Sequence, residues 1–237
     1  MLYQLRLSIT RLLSPQSLRH CTVCGKDSLK FFDGGVIEKR AEACCPQCGS
    51  LERHRLLLPV LREKTNLFEA NGLKLLHVAP EKFLHQRLRV LPDVDYISAD
   101  LEPGRADVEM DITNIQYEDN SFDAILCSHV LEHVPDDRKA MREFFRVLKP
   151  GGWAVLAVPI NVDETVEDPS ITDPAERIRL FGQDDHVRRY GPDYFDRLEE
   201  AGFQIERLRG ADLMSDTRVL QCRIDPDEEV PVCKKLR

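Results

Sequence analysis

From Gly72 onward the chain alternates short apolar runs with longer amphipathic ones. Leu73–Val78 (LKLLHV) reads as a buried strand, and Glu81–Val90 as a helix with Phe83, Leu84 and Leu88 facing inward. Asp95–Ala99 and Asp107–Asp111 read as the second and third strands. Phe122–Ser128, apolar after Asp123, reads as the fourth. Asp137–Leu148 has helical periodicity and is followed by the stop signal Lys149-Pro150-Gly151-Gly152. Trp153–Pro159 is a fifth strand, Pro192–Ala201 a helix stopped by Gly202, and Gln204–Arg209 and Arg218–Ile224 two final strands. Residues 161–190 are polar and aperiodic, too long a stretch for a plain connection. Apolar runs flanked by helices predict an α/β domain: a mostly parallel, seven-stranded sheet with helices on both faces. In such a sheet a ligand sits beyond the carboxyl ends of the strands, at the switch point.

The N-terminal part is patterned differently. MLYQLRLSITRLLSP is amphipathic, and Arg6 and Arg11 break any signal-peptide core, so a helix packed on the domain is expected. Cys21-Thr22-Val23-Cys24-Gly25 and Cys45-Pro46-Gln47-Cys48-Gly49 are two CxxCG knuckles. Two residues between ligands let a tight turn aim both sulfurs at one ion, and the glycine permits a left-handed turn. Cys21, Cys24, Cys45 and Cys48 are therefore expected to hold a structural Zn²⁺, with Cys44 as a competing neighbour of Cys45. Four thiolates would fill the coordination sphere and leave no position for a substrate. The expected organisation is an amphipathic segment (1–20), a zinc ribbon with a linking helix (21–64) and the α/β domain (65–237).

Composition changes this picture only slightly. The first 64 residues carry a formal charge of +5 and the rest −13, which argues against sustained phosphate tracking by the main domain. The eight cysteines do not read as a disulfide framework. They suit a reducing cytoplasm with one metal site.

One turn is unusual. Nucleotide-binding α/β proteins place glycines after the first strand, where backbone must approach the ligand. Here the turn is Ala79-Pro80-Glu81, preceded by His77. The flanking motifs nonetheless fall into a familiar order: Asp100 after the second strand, Met110-Asp111-Ile112, NSFDAILCSHVLEHV at 120–134, and REFFRVLKPGGWAVLAVP at 142–159. This order resembles the class I S-adenosylmethionine-dependent methyltransferases, in particular the type 11-like group that includes the quinone-biosynthesis methyltransferases. The later stretch FGQDDHVRRYG resembles a subgroup that couples an N-terminal CxxC ribbon to this domain and has a degenerate first motif. The resemblance implies a Rossmann-like methyltransferase fold and S-adenosylmethionine as cofactor.

It also implies roles for single residues. Asp100, with Leu101 beside it, would take the ribose hydroxyls, while Asp111 and the Ile112 backbone would read the adenine. Ser128 and His129 would lie near the transferred methyl group. His77, Ala79, Pro80 and Glu81 stand where the family has an acid and glycines, so His77 and Glu81 would have to meet the methionyl end with side chains. The residues His129-x-x-Glu132-His133 resemble an acidic/His trio that holds a divalent ion in quinone-pathway relatives, although an ordinary helix start explains them as well. In the polar stretch, His186 is a candidate base, and Arg188 is a candidate clamp for an anionic acceptor group. The expected reaction is methyl transfer to an O or N atom of a small-molecule or glycan-type acceptor. The competing readings are an RNA or protein methyltransferase that uses the ribbon as a reader, and a binding module without catalysis.

Overall fold

The structure is a computed structural model that describes residues 2–35, 39–69 and 71–237. The chain forms two compact units. One comprises the residues up to Lys64 together with Leu208–Glu228, and the other Thr65–Arg207 with Glu229–Arg237. Among the described residues the helices are α1 (Leu2–Leu13), α2 (Glu52–Glu63), α3 (Lys82–Leu88), α4 (Asp137–Val147), α5 (Pro174–Phe181), α6 (Tyr194–Glu200) and α7 (Asp216–Cys222). None is long and apolar enough to cross a membrane.

In the first unit, β1 (Arg19–His20) pairs with β2 (Asp27–Ser28), and β3 (Phe32–Gly34) pairs with β4 (Arg40–Cys44), both antiparallel. These small pairs carry the two cysteine knuckles. α1 buries only Leu7, while Leu2, Leu5, Ile9, Leu12 and Leu13 remain exposed. Arg55 of α2 is the unit's buried anchor. Its guanidinium donates to the carbonyls of Ala43 (2.9 Å), Ser50 (2.8 Å), Cys222 and Arg223 (3.4 Å), and stacks 4.6 Å from the Phe31 ring centroid.

The second unit is built on a seven-stranded sheet. β5 (Leu73–Val78), β6 (Val94–Asp100), β7 (Val108–Glu109), β8 (Phe122–Ser128), β9 (Leu148–Ala157), β12 (Gln204–Leu208) and β13 (Val230–Lys234) lie in the order β12-β13-β9-β8-β5-β6-β7. All pairs from β9 to β7 are parallel, and β13 runs antiparallel to β9. The chain leaves β5 for β6 and β7 on one side, then returns to β8 on the other. The switch point therefore lies between the carboxyl ends of β5 and β8. α4 covers one face. Asp136 caps it by accepting the Lys139 N–H, and Ala140, Met141, Phe144 and Val147 pack inward at helical spacing with Leu198 and Phe195 of α6.

Two expectations need correction. Residues 218–224 do not form a strand: Ser215 accepts the Arg218 N–H as an N-cap, and Val219 and Cys222, one helical turn apart, are the buried positions of α7. The seventh strand is Val230–Lys234 instead, a shorter apolar run that follows an acidic stretch. Lys149-Pro150-Gly151-Gly152 does not stop the chain before a strand but lies within β9. Phe122 pairs with Leu148 and Ala124 with Trp153, so these four residues bulge outward. A side chain at Gly152 would meet the Asp123 carbonyl at 2.8 Å, so glycine is what allows the bulge to close. The stretch expected to be irregular contains the short pair β10 (Val166–Glu167) and β11 (Arg188–Arg189), with α5 between them.

Candidate functional site

The four knuckle cysteines converge: one Sγ from each of Cys21, Cys24, Cys45 and Cys48 lies within 4.8 Å of the others. Cys21 and Cys48 are 3.7 Å apart and Cys24 and Cys45 3.9 Å, close to the edge of a tetrahedron around an ion with bonds of about 2.3 Å. Each knuckle is closed by the glycine after it. Gly25 N–H donates to the Cys21 carbonyl and Gly49 N–H to that of Cys45, with both glycines at positive φ. The Ser50 hydroxyl sits 3.1 Å from Cys21 Sγ and 3.2 Å from Cys48 Sγ. Cys44 faces the Gly49 carbonyl at 3.5 Å and stands outside the set. This is a closed four-sulfur cluster suited to a metal ion.

At the switch point, β5 ends in Val78 and turns at Ala79, whose φ of +44° lies in the left-handed region. Ala79 N–H donates to the Ala99 carbonyl at 2.7 Å. The backbone thus keeps a glycine-type turn although the residue is alanine. His77, on the strand before it, is buried against Tyr96, and Glu81 precedes α3 as its N-cap residue. Asp100 ends β6, where its Oδ1 accepts the Glu102 N–H at 2.9 Å. Leu101 beyond it is exposed. Asp111 caps the following turn by accepting both the N–H and hydroxyl of Thr113 at 2.8 Å, while Ile112 is buried. Ser128 closes β8 and is nearly buried. His129 follows at φ +56°, its N–H bonded to the Ala157 carbonyl of β9. The residues expected at the cofactor thus gather along the carboxyl edge of β5, β6 and β8 and the loop before β8.

The polar stretch 161–190 returns to this edge as a strap. Val187 N–H donates to the Glu132 carbonyl at 3.0 Å, and Ile160 bridges to Tyr190. His186 is 7 % exposed and meets the His133 ring edge-on at 4.6 Å. Its Nδ1 lies 3.1 Å from the Phe181 carbonyl. A carbonyl only accepts, so Nδ1 carries the proton and Nε2 of the neutral ring presents a lone pair. Burial and the neighbouring His133 hold this imidazole below its ordinary pKa. Glu132, 2 % exposed, would be raised by burial, but His129 at 3.4 Å and His133 outweigh this and keep the carboxyl below its usual range. Asp185 pairs with His133 at 3.2 Å rather than with Arg188.

Arg188 is placed differently from the expected clamp. It is 4 % exposed, and its guanidinium is filled by Glu167 (2.7 Å) and the carbonyls of Leu131 (2.9 Å), Val134 (2.5 Å) and Pro135 (2.8 Å). Arg197 and Tyr190 extend this network to Asp137, at 2.9 and 2.7 Å, and Arg197 also reaches Glu167. The two arginines hold the Glu167 carboxyl down to about 2, against the burial that would raise it. Arg188 therefore fixes the strap to the loop after β8: four of its five N–H donors are taken, and the buried guanidinium also faces Asp137 at 3.8 Å, so it is not presented to an acceptor group. Sequence spacing marked His186 and the 129–133 segment as two separate places. The fold joins them, through a contact between residues more than fifty positions apart that carries no periodic signal.

Residues 74–156 match a family model described as a methyltransferase domain. A demethylmenaquinone methyltransferase of Paenarthrobacter aurescens is 42% identical over 66 residues, 28% of this chain and 22% of the relative. A ubiquinone biosynthesis O-methyltransferase of Thiobacillus denitrificans is 28% identical over 109 residues, 45% of this chain and 47% of the relative. The chain thus spans less than half the length of these curated relatives. Among solved structures, the [4+2]-cyclase SpnF superposes with a TM-score of 0.53 at 17% identity, covering 97% of this chain and 96% of that one. A Haemonchus contortus phosphoethanolamine N-methyltransferase superposes at 0.52 and 15% identity, covering 80% and 53%. One is named a cyclase and the other a methyltransferase, so these likenesses speak for the fold and not for a reaction. Residues 74–156 thus match a methyltransferase domain, and the strand order and switch point of the second unit are those of a Rossmann-like methyltransferase fold.

Proposed function

We propose that the protein transfers a methyl group from S-adenosylmethionine to an O or N atom of a small-molecule or glycan-type acceptor, with a structural Zn²⁺ in its cysteine ribbon. The observation that carries the reading is the left-handed turn at Ala79, next to Asp100 at the end of the adjacent strand. This keeps the backbone of a cofactor turn where the glycines have gone. The curated relatives are named for quinone-pathway reactions, which favours a small acceptor.

When bound, the cofactor supplies a methyl group on a sulfonium, ready for in-line attack. Asp100 holds the ribose through its carboxylate, its Oδ1 already fixed by the Glu102 N–H. Asp111 and Ile112 border the adenine, and His77, Ala79, Pro80 and Glu81 the methionyl end. Ser128 and His129 border the reacting centre. His186, held neutral with a free lone pair on Nε2, takes the proton that the acceptor loses. Arg188 keeps the strap that carries His186 in place. The eight unpaired thiols fit a reducing compartment, and we place the protein in the cytoplasm.

The test is ligand-induced stabilisation. S-adenosylhomocysteine should raise the melting temperature of the wild type and fail to do so for Asp100→Ala at equal folded content. No shift for the wild type at saturating ligand would overturn the cofactor reading.

A further inference from the structure

We propose that α1 is a lipid-binding helix that seats the first unit on the surface of a bilayer containing anionic lipids. Leu2, Leu5, Ile9, Leu12 and Leu13 recur at helical intervals. At 3.6 residues per turn they fall within about 100° of the helix circumference. All five face solvent, from 46% exposed at Ile9 to 83% at Leu12. Leu7, the one buried residue of the helix, lies on the opposite side. That side also carries the polar contacts of α1 within its unit. The Tyr3 hydroxyl accepts the Leu29 N–H at 3.4 Å, and Arg11 donates to Asp27 at 2.9 Å. The helix is thus held by its sparse inner side with its hydrophobic face outward, the reverse of the packing that its amphipathic sequence leads one to expect.

Singly exposed leucines are ordinary on a protein surface, but five aliphatic side chains in one stripe are not. A helix of about this length is marginal in water, and one buried leucine gives it little support. A surface that covers the stripe would stabilise the helix as well as bind it.

Charge and area select the occupant. Arg6, Arg11, Arg19 and Lys26 all precede Asp27, the first acidic residue of the chain. Arg11 and Arg19 pair with Asp27 and Glu42, so the charge at the edge of the stripe is that of the exposed Arg6. Pairing with a second copy would bring arginine against a helix that has no carboxylate to meet it. Two helices about 18 Å long also bury far less than the roughly 1,200 Å² of a stable interface. A lipid surface supplies both missing partners, acyl chains for the leucines and phosphates for Arg6. No described helix is long and apolar enough to cross a membrane, so α1 would lie in the plane of the interface. Burial of the aliphatic stripe then carries most of the binding, and the charge adds selectivity for anionic lipid.

The full chain is floated with vesicles of phosphatidylcholine alone, or of phosphatidylcholine mixed with phosphatidylglycerol. The wild type should co-float, more strongly with the anionic mixture. Leu5→Gln/Leu12→Gln should weaken the association by at least about tenfold. Both side chains are exposed, so this variant should keep the wild-type melting temperature. Arg6→Gln should weaken binding about fivefold, and only on the anionic vesicles. Helical circular dichroism should rise on vesicle addition in the wild type and not in the double variant. The proposal is overturned if the wild type fails to co-float, or if the double variant co-floats equally. A wild-type dimer that the double variant dissolves, without vesicle binding, would assign the stripe to a second copy and overturn it too. Neither readout needs cofactor or acceptor, so failure here is distinct from failure of the methyl-transfer reading.

Discussion

His77 Nδ1 lies 2.8 Å from the Tyr96 hydroxyl, inside the paired strands β5 and β6. His85 Nδ1 approaches the same hydroxyl at 2.9 Å. A phenol has one proton, so it donates to one ring and accepts from the other. The chain thus places a hydrogen-bond chain, anchored on the buried His77, where the methyltransferases it resembles carry an acid.

This arrangement makes the fold acid-sensitive. Burial pushes the His77 pKa down to about 3, with His85 adding to the effect and Glu81 opposing it. The folded pKa is lower than the unfolded value of about 6.5, so His77 takes up a proton on unfolding in the window between them. Its contribution to stability is intact above that value and is lost as pH falls toward 3, at up to about 1.4 kcal/mol per pH unit. Urea midpoints measured across this window should fall more steeply for the wild type than for His77→Asn; equal slopes would show that His77 does not titrate this way.

Ala79→Gly should stabilise the second unit by roughly 0.5–1 kcal/mol, because a left-handed turn costs alanine more than glycine loses in unfolded-chain entropy. Retained or improved S-adenosylhomocysteine binding in the same variant would show that backbone shape, not the methyl group, carries this turn. A lower melting temperature would refute the strain argument.

Arg55→Met should destabilise the first unit by about 3 kcal/mol or more, since it removes a buried cation and leaves the carbonyls of Ala43, Ser50 and Cys222 without their donor. Burial lowers the Arg55 pKa, and the nearby Cys21, Glu52 and Cys45 oppose that, so the ribbon sulfurs and Glu52 act together as its counter-charge. The variant should also release zinc faster to a chelator, followed with a colorimetric dye. An unchanged release rate would mean that the two features are independent.

Arg188→Ala should loosen the strap rather than remove an anion clamp. Its expected signature is faster cleavage within 161–190 and a lower melting temperature, with anionic small molecules inhibiting wild type and variant alike. A selective loss of anion sensitivity would restore Arg188 to the acceptor pocket.

What the sequence revealed depended on the range of the interactions behind it. Phe122–Ser128 and Leu73–Val78 were legible to the residue, because a strand buried on both faces needs an unbroken apolar run. The four ribbon cysteines were legible because their spacing is itself the turn geometry. Arg218–Ile224 misled because Val219, Leu220 and Cys222 suit a strand by composition, while the deciding Ser215 cap lies outside the run. Arg188 misled for a related reason. An arginine in a polar segment suggests an external anion, and nothing local shows that three carbonyls of the 131–135 loop already occupy it.

Arg55 and Cys222, joined by a hydrogen bond, stand 167 positions apart in the chain. On the ribosome this has a direct consequence. The cysteine knuckles emerge before α7 and have all four sulfurs available to a metal. The buried pocket around Arg55 cannot close until α7 has been synthesised, since Cys222 follows Arg55 by those 167 residues. During that interval an arginine destined for the interior remains in water, and a metal taken up by the knuckles would lack the packing that later surrounds them. A nascent chain arrested before Leu208 would therefore be the most metal-labile state the protein passes through.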